Sequence, residues 1–372
     1  MKFYEYVIRR LILLIFVMIA VSLITFYIGR GLLPPESGVA GYITLNTSDP
    51  QKLGILKSIG IATSSCPSWS AFVQRQPGCL VPLWQQYFGW IGNIFRGNWG
   101  TSLLSGITGM TPTWDAFASR FPYTAQLAIV SGILTVALGI PIGVVSATHN
   151  NKLPDHLARM LALVGYSMPT FWFGFILQIV FVLYIVVGGA PLMQGSGALA
   201  TSCAVCVSAP GSIVAYTGMP LLDSILSRNP AYLWDTLVAL ILPAVTLSIT
   251  TLAALTRILR SSMMDALRQD YILLARSKGL KERTVIYRHA LRNAMLPAVT
   301  ISGLIFASLF GGVVITETVF AYPGIGQAVL AASVGDDINF LELYVLVSAV
   351  IVVVANLAAD LVYALIDPRI RY

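Results

Sequence analysis

A chain of 372 residues that is 56% hydrophobic and only 10% charged departs from soluble domains, in which about a quarter of residues carry charge. The net charge of +7 lies on segments between apolar runs, not on an aromatic-interleaved soluble face, which argues against a nucleic-acid-binding protein. The composition points to lipid as the solvent.

Six nearly uncharged runs stand out, at about 11–29, 122–147, 160–188, 237–256, 293–316 and 343–365. Each suffices to cross a hydrocarbon core about 30 Å thick, which takes roughly 20 helical residues. Lipid offers no partner to backbone N–H and C=O groups, so the expected fold class is an all-α membrane protein with six transmembrane helices. The first run follows Lys2, Arg9 and Arg10, as the core of a signal peptide does. It is longer, however, and no small-residue cleavage site precedes Gly31-Leu32-Leu33-Pro34, so it is read as retained.

Basic residues set the orientation. Lys2, Arg9, Arg10, Lys152, Arg159, nine residues from Arg257 to Arg292, and Arg369 and Arg371 share one side, sixteen of the 23 lysines and arginines. The positive-inside rule makes that side cytoplasmic and places both termini there. Three parts follow: 1–30, an N-terminal segment with the first span; 31–121, an external loop or cap; and 122–372, a core with five spans. Within the core, 190–235 is an external loop and 257–292 a cytoplasmic one.

The first external stretch is too long for a structureless loop and is expected to fold as a small cap or docking surface. The second contains Met193-Gln194-Gly195-Ser196-Gly197, a flexible-linker composition. Cys66, Cys79, Cys203 and Cys206 all fall outside, where disulfides persist. Cys66–Cys79 with Cys203–Cys206 is one of three pairings, and free thiols in loops are the plainer alternative. Cys203-Ala204-Val205-Cys206 is a weak zinc pattern, since no histidine lies on that side. Asn46-Thr47-Ser48 is a glycosylation sequon of a kind common by chance.

The cytoplasmic loop 257–292 joins its nine basic residues to Asp265, Asp270 and Glu282. Gly279 predicts a helix ending at Lys278, a tight turn, and a second helix starting near Lys281. Met264, Leu267, Tyr271 and Leu274 keep helical spacing and predict one apolar face. That face could receive a partner, or pack beneath its own bundle or on the membrane surface; the residues alone leave both open.

Little in the chain supports chemistry. His149, His156 and His289 are all expected in the cytoplasm, and Val334-Gly335-Asp336-Asp337 is external. A phosphate-binding loop needs a Gly-Lys pair, and the sequence has none. An ion-coupled secondary transporter working without an ATPase is the alternative class, and it needs ionisable groups inside spans. Asp360, with Asn356 one turn earlier, is the candidate, and it is read as a structural pairing near the inner end. Pro141, Pro169, Pro243 and Pro297 predict kinks. Gln178, Tyr184, Ser302 and Ser308 are the polar candidates for lining a pathway.

Several motifs, in order, carry a resemblance. They are Gly165-Tyr166-Ser167-Met168-Pro169-Thr170-Phe171-Trp172; Asp270-Tyr271-Ile272-Leu273-Leu274-Ala275-Arg276-Ser277-Lys278-Gly279-Leu280; Arg288-His289-Ala290-Leu291-Arg292-Asn293-Ala294-Met295-Leu296-Pro297; Glu317-Thr318-Val319-Phe320-Ala321-Tyr322-Pro323-Gly324-Ile325-Gly326; and Asp367-Pro368-Arg369-Ile370-Arg371. The chain resembles binding-protein-dependent ABC importer permeases of the dipeptide and oligopeptide family, as the first permease subunit of a pair. The resemblance implies an ABC type I importer permease fold and import of peptides or oligosaccharides by alternating access. It implies four kinds of partner besides membrane lipid: a second homologous permease, two ABC ATPase subunits that bind the ATP and Mg, and an extracellular solute-binding protein. No cofactor is expected in this chain. The resemblance further implies that Asp270, Ala275, Arg276, Lys278, Gly279 and Leu280 form an ATPase-coupling element, with Ala275 and Gly279 in its helix-turn core. Where the family carries Glu-Ala-Ala this chain has Leu273-Leu274-Ala275, which leaves no glutamate there for a salt link.

Overall fold

The computed structural model describes residues 3–32, 48–58, 60–102, 104, 111–186 and 216–366. Its helices, in chain order, are α1 Phe3–Phe26, α2 Asp49–Ser58, α3 Trp69–Val73, α4 Leu83–Phe95, α5 Thr113–Ala118, α6 Phe121–Thr148, α7 Leu153–Ser167 and α8 Thr170–Val186. After them come α9 Pro220–Leu226, α10 Pro230–Leu267, α11 Asp270–Ser277, α12 Glu282–Thr284, α13 Leu291–Val319, α14 Ile325–Val334 and α15 Ile338–Ile366. By length and composition, Ile12–Gly31, Thr113–Thr148, Pro230–Leu267 and Ile338–Ala358 can each cross a membrane.

The third apolar run, expected as one helix, is two. α7 and the Thr170–Phe181 part of α8 meet at 110°, so the pair makes at most one broken span. Pro169 is the cause: a proline excludes its predecessor from helical torsions, and Met168 is extended with ψ 133°. Pro141, Pro243 and Pro297 instead lie within continuous helices.

The chain forms two compact units. In the first, 1–6 with 122–327 and 351–372, α10 packs on α13, α7, α8 and α9. Gly139 and Gly143 of α6 let it approach α10 closely, since a Cβ at either position would stand 3.0 or 3.1 Å from Leu255 or Leu259. One buried cluster runs from Val144 through Leu259 and Met263 to Ile272, Ala275, Val285 and Ala290. A second joins Leu127, Leu240, Ala244, Leu247 and Val313.

The second unit, 7–121 with 328–350, contains α1 beyond its first turn and a small fold of its own at 49–80. Leu53, Leu56, Ile61 and Phe72 are buried there around a Cys66–Cys79 disulfide. A two-residue antiparallel ladder, β1 Thr101–Ser102 and β2 Thr111–Pro112, follows α4. Cys203 and Cys206 lie outside the described residues.

Candidate functional site

The segment from Arg268 to Ala290 begins with a break. Arg268 caps α10, and Gln269 turns extended at ψ 151° before the chain re-enters a helix at Asp270. Asp270 is exposed in the first turn of α11, where the positive end of the helix dipole favours a carboxylate. The break divides the single apolar face expected from Met264, Leu267, Tyr271 and Leu274. Met264, Leu267 and Tyr271 do pack on the cluster, but Leu274 is 57% exposed beside Leu273 at 65%. Burial passes instead to Ile272 and Ala275, which with Met263 and Ala266 meet Val285, Ala290 and Ala294.

The turn after α11 is set by backbone geometry. Lys278 is the helix cap and Gly279 has φ +72°, left-handed torsions that L side chains resist. The Leu280 N–H donates to the Ala275 carbonyl at 3.3 Å and the Gly279 N–H to that of Arg276 at 2.9 Å, the two bonds of a Schellman motif. The next helix starts after Lys281, as expected. A Cβ placed on Gly279 would meet nothing within 4 Å, so the glycine answers the torsion and leaves an open surface.

The charge link missing at 273–275 reappears across this turn. Arg276 donates to both Glu282 oxygens, at 2.6 and 3.2 Å. Arg276 holds the Glu282 carboxyl below its ordinary range, and the Arg276 guanidinium is raised in return. Both side chains are about half exposed, so the pair shapes the surface and stabilises it little. Ala275 thus faces inward, while Arg276, Lys278, Gly279 and Leu280 face out. A π-helical turn, Val285–Ala290, then leads into α13.

A polar anchor underlies this end of the first unit. The fully buried Asp155 carboxylate receives Arg260 Nε at 2.7 Å and Nη2 at 3.0 Å, the Ser146 hydroxyl at 2.7 Å and the Asn151 N–H at 2.9 Å. It ties the end of α6, the start of α7 and the late turns of α10 together. Sequence reasoning passed over it because Asp155 and Arg260 are 105 positions apart.

A second carboxylate organises the opposite end of α13. Glu317 is fully buried, accepting from the Thr124 hydroxyl at 2.6 Å and from the N–H groups of Gly326 and Gln327 at 2.6 and 3.2 Å. The Ile325 N–H in turn donates to Thr124 at 2.8 Å. The Glu317 to Gly326 motif is thus a side chain holding the turn that follows its own helix.

Of the pathway candidates, Gln178 donates through Nε2 to the Val319 carbonyl at 2.9 Å and so ties α8 to the end of α13. The side chains of Tyr184, Ser302, Ser308 and Asp360 lie outside the described residues.

Comparison with known proteins bears on the cluster beneath this loop, on α13 and on the Glu317 turn together. The family model described as "Binding-protein-dependent transport system inner membrane component" matches residues 139–372. The chain belongs to that family. Its similarity to single members runs almost end to end: 34% identity over 368 residues, 99% of each chain, to a dipeptide transport system permease protein of Escherichia coli (strain K12). An oligopeptide transport system permease protein of Bacillus subtilis (strain 168) is 33% identical over 367 residues, again 99% of each chain. A dipeptide transport system permease protein of Haemophilus influenzae is 38% identical over 286 residues, 76% of this chain and 80% of its own. This permease is a multi-pass membrane protein of an ABC importer, and ATP hydrolysis belongs to separate subunits.

Proposed function

We propose that this permease conducts short peptides, as one of two homologous permeases that enclose a single pathway. In this reading it has six spans, with α13 and the broken α7–α8 pair each counted as one, a type I importer fold and both termini in the cytoplasm. A solute-binding protein delivers peptide from outside, and two ATPases hold the ATP and Mg, one of them docking on Arg276, Lys278, Gly279 and Leu280. The peptide assignment rests on relatives named for dipeptide and oligopeptide transport; none of those names supports the oligosaccharide reading.

One observation carries the docking assignment. Two leucines, Leu273 and Leu274, stand exposed beside a Gly279 turn whose inner face is locked into the bundle. Exposed leucines rimmed by Arg276 and Lys278 suit a partner cleft. Ile272 and Ala275 suit the other half of the task, since a close-packed interior transmits displacement. When nucleotide draws the ATPases together, α11 moves with them, and its buried face shifts α10 and α13. The Asp155–Arg260 anchor passes the same displacement to α6 and α7, and alternating access follows.

Gly279→Trp tests this reading, since an indole there meets the partner and not the bundle. The expected result is normal membrane insertion with loss of both peptide uptake and peptide-stimulated ATP hydrolysis. Leu273→Glu with Leu274→Glu should do the same without perturbing the turn. Wild-type uptake in both variants removes the docking assignment, and uptake that continues without ATP removes the importer mechanism.

A further inference from the structure

Helix α4, Leu83–Phe95, falls in the stretch expected to be an external cap, yet its sequence is that of a membrane-seeking helix. Trp84, Phe88, Ile91 and Phe95 recur at intervals of four, three and four and share one face. Trp84 is 62% exposed, Phe88 65% and Phe95 85%. The other face is polar: Gln85, Gln86, Gly89 and Asn93 line a cavity of about 540 Å³ that Arg30 and Arg96 also line.

The contacts of α4 fix its level. The Tyr87 hydroxyl lies 2.9 Å from that of Ser22, and the Phe26 ring meets those of Tyr87 and Trp90 at 5.4 Å each. Ser22 and Phe26 belong to the apolar stretch Ile12–Gly31. At 1.5 Å per residue they lie roughly 13 and 7 Å inside its Gly31 end. The middle of α4 is therefore held against the span itself, below the span's end. The flanking side chains of this stretch, Leu23, Ile24 and Tyr27, are exposed, as lipid-facing residues of a span are.

We infer that α4 is immersed in the outer leaflet of the bilayer, with Trp84, Phe88 and Phe95 among acyl chains and its polar face turned to the cavity. The occupant of the apolar face is phospholipid, because that face continues the lipid-facing surface of α1 at the same depth. Acyl chains take such aromatic surface out of water, and tryptophan and tyrosine favour the interfacial level. Arg30, which lines the cavity, is ion-paired with Glu342 at 3.2 Å, and such a pair needs polar neighbours wherever it is withdrawn from bulk water. Assignment to the outer leaflet rests on the proposed orientation; immersion beside the span does not.

The test is nitroxide accessibility in the assembled transporter in phospholipid nanodiscs, with Cys203→Ser and Cys206→Ser to leave one labelling position at a time. Phe88→Cys is compared with Phe16→Cys, exposed on α1 within the span, and with Gln74→Cys, exposed in the 49–80 fold. The expected result is that position 88 matches position 16, several-fold more accessible to oxygen than to a water-soluble nickel chelate, whether or not binding protein is added. A ratio matching position 74 overturns the inference. So does chelate access that disappears only on adding the solute-binding protein, which would make the face a protein-docking surface. Should Phe88→Cys fail to assemble, Trp84→Cys on the same face gives the same readings. Uptake assays of the Gly279 variants are independent of this result, so a failure here leaves the proposed function standing.

Discussion

The fold at 49–80 and the segment at 268–290 are built on opposite plans. The first closes on itself: Leu53, Leu56, Ile61 and Phe72 bury one another, and the Cys66–Cys79 disulfide locks the enclosure. The second has no interior of its own. Ile272, Ala275, Val285 and Ala290 are buried because α6, α10 and α13 supply the rest of the cluster, and Leu273 and Leu274 are left outside. A self-sufficient fold can change without disturbing the spans. A borrowed one cannot move without moving them, which is what a coupling element requires.

The sharpest way to break this contrast is to remove side chains of each kind. Phe72→Ala should cost the 49–80 fold about 3–5 kcal/mol, the range for a buried phenylalanine, because Phe72 is fully enclosed. Limited proteolysis should then cut between 49 and 80 while the spans stay protected. Leu273→Ala should change stability by no more than about 0.5 kcal/mol, as for most surface positions, and still reduce uptake. Should proteolysis spread into the spans of the Phe72 variant, the small fold is not self-sufficient.

The disulfide comes next. Its cysteines are 13 positions apart, and closing a loop of that size removes about 3 kcal/mol of unfolded-chain entropy in the usual model. Cys66→Ser with Cys79→Ser should lower the melting temperature of the 49–80 fold, read by proteolysis against temperature, and leave ATPase docking unaffected. Equal loss of docking would mean that the two regions are coupled.

How much of this was legible in the sequence depends on how far each interaction reaches. Apolar length reports four of the expected spans as helices able to cross a membrane, and Gly279 reports its own turn, because those causes are local. Pro169 is local too, yet by itself it predicts a kink where the structure has a 110° break, since a proline breaks or bends a helix according to the packing around it. Long-range polar pairs left no such mark. Arg30 and Glu342 each stand one residue outside the first and last apolar runs, where sequence alone does not mark an intramembrane charge, and the structure pairs them. Glu317 escaped in the same way, one residue beyond its run. Two of the long-range ties thus sit on ionisable residues at the very ends of apolar runs.

Gly279 offers a smaller and more selective lesion. Gly279→Ala places a Cβ in open space but on left-handed torsions, costing roughly 1–2 kcal/mol. Gly279→Asn tolerates the same torsions better. The expected order of ATPase coupling is therefore Gly, then Asn, then Ala, with insertion unchanged throughout. If Asn and Ala behave alike, the turn's torsion is not what matters.

The Arg276–Glu282 pair sets the lower limit of these effects and has a defined pH signature. Its carboxyl is held below the ordinary value of 4.5 by Arg276. A lowered folded-state value means that the stabilisation is fully present above the unfolded pKa and is lost as pH falls through the folded one. From neutral pH down to about pH 5 the contribution should therefore be constant, shrinking only in more acid solution. Both partners are half exposed, so a double-mutant cycle with Arg276→Gln and Glu282→Gln should return about 0.2–1 kcal/mol, falling with added salt. A coupling energy well above that, or one that persists in high salt with the ATPase bound, would mean that the partner encloses the pair. The turn would then be a desolvated part of the docking surface, and the contrast with the closed 49–80 fold would hold only for the free permease.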